Sequence, residues 1–262
     1  MRNNHDRAKR GIVNGWSASA ARNNTRWLRS INPHFLSGRS YAFTLTIRDC
    51  PGTSDDWKIL RETFIKRLRR AGMIRLHWVT EWQRRGVPHL HGIAFFPDDA
   101  PHPRHYHNLI ISHWLTVAFS YCCNDRGQHV CDVSDLSGWF QYLSKHAARG
   151  AAHYQRSSEN IPSGWAKTGR VWGHCGDWPI DEPDQLEVSH DFYFRFRRIV
   201  RSWRVSDARS DETPYKASRI ASARRMLKSA DKTIGELRGV SEWITGDLSH
   251  LIVDYLRGMG FE

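Results

Sequence analysis

Cysteine, uninterrupted apolar sequence and phosphate-loop glycines are what this 262-residue chain is short of, and each shortage removes a class of protein. Five cysteines, an odd number, make no disulfide framework and point to a reducing cytoplasm. Cys122, Cys123, His129 and Cys131 lie close together, but their spacing matches no zinc pattern and reads as small buried thiols. No apolar run approaches the roughly 18 residues a membrane helix needs, and no signal peptide is evident, so no membrane partner is expected. A Gly-x-x-x-x-Gly-Lys-Ser/Thr loop is missing, which excludes a built-in P-loop motor. Internal repeats and low-complexity runs are absent as well. What the chain has is positive charge: 39 Lys and Arg against 27 Asp and Glu leave a formal +12, a balance suited to a polyphosphate partner.

Periodicity orders the elements. Residues 1–38 carry arginines among Asn, Ser and Ala without sustained apolar spacing and read as a basic arm. Tyr41 to Ile47 alternates as a strand, Pro51-Gly52 ends it, and Ser54 caps a helix with Trp57, Leu60, Phe64 and Leu68 at helical spacing. Strands follow at about 74–83 and 87–96, joined through Arg84-Arg85-Gly86 as a hairpin. A helix near 104–121, a strand near 129–133 and a helix near 136–148 complete a βαββαβ order with one further helix. The expected class is α+β: one antiparallel sheet of ferredoxin-like or RNA-recognition-like order, two helices on one face, and the other face free for the last helix and a ligand. The core domain is residues 39–150. Residues 151–205 form a loop-rich extension ending in a basic helix, and 206–262 a helical segment whose Leu248, Leu251, Ile252, Tyr255 and Leu256 stripe offers a docking or homodimer contact.

Within Pro88-His89-Leu90-His91-Gly92, strand alternation turns His89 and His91 to the same face, where two imidazoles can reach one ion. With a three-residue turn centred on Arg85, Glu81 falls opposite His89 and becomes the third ligand, His77 further along the same face being the fallback. Two nitrogens and a carboxylate with open positions suit Mn²⁺ or Mg²⁺. On the last helix of the core, Leu136, Phe140, Leu143 and Ala147 share a packing face, and Tyr142, Lys145, His146 and Arg149 share the other. A phenol among cations there would ionise more readily than usual and meet an incoming phosphate.

Phe43-Thr44-Leu45-Thr46, Pro88-His89-Leu90-His91-Gly92 and Tyr142-Leu143-Ser144-Lys145, in that order, resemble the three motifs of the HUH rolling-circle replication initiators, the nicking enzymes of small plasmids and single-stranded DNA phages. Arg170-Val171-Trp172-Gly173 resembles a stretch of the filamentous-phage type. The resemblance spans about residues 40–150. It implies a metal-dependent endonuclease and strand transferase acting on single-stranded DNA at a replication origin: Glu81, His89 and His91 hold Mg or Mn, Tyr142 attacks to give a 5′-phosphotyrosyl bond and a free 3′-hydroxyl, and Lys145 steadies phosphate and phenolate. His146 stands where some initiators have a second tyrosine, so the chain reads as a single-tyrosine enzyme, and the second cleavage would need another subunit, a water or a more distant residue such as Tyr154. Unwinding and synthesis then fall to a host helicase and polymerase.

For DNA contact, Arg149, Trp165, Lys167, Arg170 and Trp172 interleave bases with aromatics, and Arg197 and Arg201 lie on the basic face of the 190–204 helix, opposite a stripe of Phe192, Phe196, Ile199 or Val200, and Trp203. Two rival readings remain. A single-tyrosine transposase or relaxase would share the chemistry, and a non-catalytic single-strand-binding module would use Tyr41 and Phe43 as stacking platforms.

Overall fold

The computed structural model describes residues 13–99, 101–102, 104–133, 138–139, 142, 145–146, 149–181, 186–225 and 246–262. The chain divides into two compact units, residues 1–182 and 183–262.

The first unit is built on a five-stranded antiparallel sheet: β1 (Arg39–Thr46), β2 (Arg75–Trp82), β3 (Pro88–Phe96), β4 (His129–Asp132) and β5 (Trp172–Gly176), in the spatial order β4-β1-β3-β2-β5. The first four follow the βαββαβ order read from the sequence. β5 is an addition, closing the β2 edge inside the stretch expected to be loop. Helix α1 spans Ala18–Arg29, α2 spans Ser54–Arg70 and α3 spans His105–Val117. Thr53 caps α2, one residue before the expected Ser54: its hydroxyl accepts from Asp56 N, and the Asp56 carboxylate accepts from Thr53 N.

Period-two alternation divides the side chains of β1 between two layers. Tyr41, Phe43 and Leu45 enter the main core beneath α2 and α3. There Phe64 packs edge-on against Phe43 and Trp114, and Trp57 against Trp114. Such pairs each contribute about 0.5–1.5 kcal/mol beyond their buried area. Thr44 and Thr46 face the other way, opposite His91 and His89.

That second face is not left open. Ser17 caps α1, and the helix lies over β2 and β5 with Asn24 and Leu28 fully buried. Trp27 stacks on His77 and on His174, at ring-centroid distances of 5.2 and 4.0 Å. Residues 13–38 are therefore part of the first unit rather than a free arm. Their signal is masked in sequence because α1 buries only Ala21, Asn24 and Leu28, an asparagine breaking a short apolar stripe among arginines. Residues 1–12 lie outside the described residues.

Residues 151–181 also belong to this unit. Trp82 N donates to Gln155 O and Thr80 N to Val171 O, so the segment laces along β2 before β5 begins.

In the second unit, α4 (His190–Ser210), α5 (Lys216–Arg225) and α6 (Gly246–Gly258) are helical. Phe192 and Val200 of α4 pack with Ile252, Val253 and Leu256 of α6. Part of the α6 stripe thus docks within its own unit, leaving Leu248, Leu251 and Tyr255 exposed. Trp203, expected in the packing stripe of α4, is exposed. No helix among the described residues is long and apolar enough to cross a membrane.

Candidate metal and nucleophile site

The hairpin sets the first half of the site. Gln83 N donates to Val87 O, and Gly86, at φ +69°, supplies the left-handed residue that a three-residue turn requires. This turn pairs Trp82 with Pro88 and Glu81 with His89, placing Glu81, His89 and His91 on one face. Their ligand atoms all lie within 4.8 Å of one another, and all three residues are buried. His89 Nε2 and His91 Nε2 are 2.7 Å apart, and His91 Nε2 is 3.4 Å from Glu81 Oε2. Thr44 Oγ1 sits 2.7 Å from His91 Nδ1, leaving Nε2 to face its partners.

Burial, reinforced by Arg149, Lys145 and Arg85, pushes the His89 imidazole down to about 4, and burial drives His91 well below its ordinary value. Both rings are neutral at pH 7 and present lone pairs. Two such nitrogens and a carboxylate are a donor set that fits a divalent cation of the Mn²⁺ or Mg²⁺ kind.

Glu81 has a counter-ion frame that the sequence did not disclose. Arg156 Nε donates to Glu81 Oε1 at 2.9 Å, and Arg149 Nη1 pairs with Oε2. Arg156 is fully buried, lies 3.9 Å over the Trp16 ring, and donates to the carbonyls of His146 and Arg149. Its guanidinium therefore joins Glu81 to the C-terminal end of the segment that carries the tyrosine. No residue pattern around Gln155-Arg156 marks this role, since a buried arginine is visible only once the partners are in place.

The second half of the site comes from helical residues Trp139, Tyr142, Lys145 and His146. The sequence placed Tyr142 on a cation-rich face with an easily ionised phenol. Instead, Tyr142 and His146 turn inward and are buried, while Lys145 is exposed. Burial, with Glu81 adding to it, raises the Tyr142 phenol well above its ordinary value, so it is protonated at neutral pH. Leu136, Phe140, Leu143 and Ala147, the expected packing face, lie outside the described residues.

The hydroxyl of Tyr142 is 2.7 Å from His77 Nδ1, and His77 Nε2 is 2.8 Å from Asn24 Oδ1. Both nitrogens of His77 are therefore engaged, and it is not a spare metal ligand. His146, one turn after Tyr142, lies between the two halves, its ring 4.5 Å from Tyr142 and 5.7 Å from His91.

Several expected DNA contacts lie elsewhere. Trp165 is a core residue, its indole N–H donating to Pro51 O and its ring packed edge-on against Trp82. Trp172 is half-buried beside Trp27. Arg197 is buried on α4, so it is not part of a solvated basic face, and Arg201 is half-buried. Arg149 is spent on Glu81. Lys167 and Arg170 are exposed, with Lys167 paired to Asp55 at 3.0 Å. Tyr154 is 49% exposed, with Arg84 5.3 Å over its ring. Tyr41 and Phe43 lie under α2 and α3, which removes the open stacking platform that a recognition-module reading requires.

Residues 40–151 match the sequence model of the family described as replication-associated protein ORF2/gene 2 protein. Across 269 aligned residues the chain is 48% identical to the putative replication protein XF_b0001 of Xylella fastidiosa strain 9a5c, covering all of this chain and 92% of the relative. It belongs to the ORF2/gene 2 protein family of replication-associated proteins. The replication-associated gene 2 protein of Pseudomonas phage Pf3 is 45% identical over 98% of this chain and 90% of its own length. The putative replication protein PDa0002 of Xylella fastidiosa strain Temecula1 is 49% identical over 93% of this chain and 92% of its own length. No solved structure matches the chain. The resemblance to replication initiators of phage and plasmid type is thereby borne out, and the matched residues 40–151 contain Glu81, His89, His91 and Tyr142.

Proposed function

We propose that this replication-associated protein nicks and rejoins single-stranded DNA at a replication origin through a 5′-phosphotyrosyl bond to Tyr142, starting and ending rolling-circle replication. One observation carries the reading: the buried cluster of Glu81, His89 and His91 lies on the same sheet face as the hydroxyl of Tyr142.

Glu81, His89 and His91 would hold Mg²⁺ or Mn²⁺, and a cation there supplies Lewis-acid polarisation of the scissile phosphate. The remaining work belongs to the chain. Thr44 holds the His91 ring from its Nδ1 side, and Arg149 and Arg156 hold the Glu81 carboxylate in place. Tyr142 contributes the attacking oxygen. Its bond to phosphorus forms as the bond from phosphorus to the 3′ oxygen breaks, and that oxygen leaves as a hydroxyl after taking a proton from solvent. Rejoining is the same exchange in reverse. Lys145 and Arg170, both exposed, would meet the DNA backbone, and a host helicase and polymerase would open and copy the duplex.

The test incubates the protein with single-stranded segments tiled across its own replicon, with and without Mn²⁺, and resolves covalent protein–DNA adducts on a denaturing gel. The expected outcome is a Mn²⁺-dependent adduct at one segment that Tyr142→Phe and His91→Ala both lose. Binding without an adduct at any segment, with Mn²⁺ or with Mg²⁺ in its place, would replace this reading with a non-catalytic single-strand-binding one.

A further inference from the structure

Attack by Tyr142 requires a group that takes its phenolic proton. The phenol is buried and un-ionised, and Lys145, the cation that the motif spacing suggested for it, faces solvent. Some group must accept the proton as the oxygen bonds to phosphorus. The group in contact with that oxygen is His77, its Nδ1 2.7 Å from the hydroxyl.

We infer that Asn24, His77 and Tyr142 form a proton relay in which His77 is the base during strand cleavage and the acid during rejoining, Asn24 being the residue that positions it. This inference rests on the nicking reading. Asn24 Oδ1, 2.8 Å away, accepts from His77 Nε2–H, which assigns the ring's proton to Nε2 and leaves the Nδ1 lone pair for the tyrosine hydroxyl. The proton then passes from the Tyr142 oxygen to Nδ1 as the oxygen–phosphorus bond forms. In the reverse direction the 3′-hydroxyl attacks, and the departing tyrosine oxygen recovers a proton from Nδ1. Protons balance over the cycle, because the 3′ oxygen gains one from solvent on cleavage and returns one on rejoining.

Burial disfavours the imidazolium this transfer creates, so the ring holds the proton only in passing, and two features of α1 lessen that cost. Asn24 Oδ1 strengthens its hold on Nε2–H as the ring becomes positive, and the indole of Trp27 stacks on the ring face at 5.2 Å and 20°. Asn24 and Trp27 are three residues apart, so one helical face delivers both. The helix that covers the second face of the sheet thus becomes part of the reaction centre.

The experiment measures single-turnover adduct formation on the cleaved origin segment alongside single-strand affinity. His77→Gln can still bond the hydroxyl but cannot carry its proton, so adduct formation should slow by about 10²–10⁴-fold at unchanged affinity. Asn24→Asp, whose carboxylate can only accept, should recover rate that Asn24→Leu loses. The unaltered chain gives a second readout should the buried variants not fold: adduct formation runs slower in D₂O than in H₂O, and a fluorinated, more acidic tyrosine at position 142 shrinks that difference. Full rate in His77→Gln, or equal rates in the two solvents, overturns the relay while leaving the nicking reading intact. Absence of any adduct with the wild-type chain overturns both.

Discussion

At the scale of single residues the site is a set of buried polar groups that hold one another in fixed charge states. Glu81 is balanced by two guanidiniums and His91 is steadied by a threonine. His77 is held neutral: burial, with His174 and Arg156 adding to it, lowers its imidazole to about 3 from an ordinary 6.5. An unfolded chain takes up a proton at this position as pH falls through 6.5, whereas the fold refuses it until about pH 3, so the unfolded state binds more protons across that window. Stability contributed by neutral His77 is therefore fully present above pH 6.5 and is lost as pH falls toward 3, with a slope of up to about 1.4 kcal/mol per pH unit. Urea unfolding of the metal-free chain between about pH 7 and pH 4.5, inside that window, measures it, and His77→Gln should flatten the pH dependence by that amount. An unchanged slope in the variant would mean that His77 titrates freely in the folded protein.

Among elements, β3 has the tightest constraints, because its ligand face and its core face are both filled. Gly92 follows His91 directly and points into the core. A β-carbon there would land on Phe43 Cζ and 2.7 Å from the His77 carbonyl oxygen. Gly92→Ala should therefore cost about 1–3 kcal/mol as an overpacked core substitution, and it should weaken Mn²⁺ binding by shifting His91. Denaturant midpoints and Mn²⁺ titration of the purified variant check both effects, and an unchanged metal affinity would show that β3 absorbs the methyl without moving its ligand. The hairpin register was legible in sequence because Arg84-Arg85-Gly86 selects one turn length and alternation does the rest, which carried Glu81 to His89. The orientation of Tyr142 was not, because helical spacing defines two faces without saying which one a sheet will cover. Helix α1 was hidden for a related reason: its buried face is Ala21, Asn24 and Leu28, and polar burial becomes visible only when His77 is there to pair with Asn24. β5 resembled loop because Trp172–Gly176 is short, glycine-bounded and paired along only one edge.

Over the whole molecule, charge and chemistry fall in the same unit. Residues 1–182 carry 25 Lys and Arg against 15 Asp and Glu, while residues 183–262 carry 14 against 12. Glu81, His77, His89, His91, Asn24, Tyr142, Arg149 and Arg156 all lie in the first unit, and the second buries its own apolar seam between α4 and α6. Of the second unit's two candidates for DNA contact, Arg197 is buried and Arg201 half-buried, which weakens the reason to assign that unit the phosphate backbone. A polyanionic strand that releases counter-ions on binding responds to the cations it displaces them with, and the logarithm of affinity falls with the logarithm of salt in proportion to their number. The expected outcome is that a fragment of residues 1–182 forms the Mn²⁺-dependent adduct and shows the same salt slope for single-strand binding as the full chain. A slope shallower by one or more phosphate contacts in the fragment would assign the second unit a share of the strand, and Arg201 and Arg204 of α4 would be the first side chains to substitute.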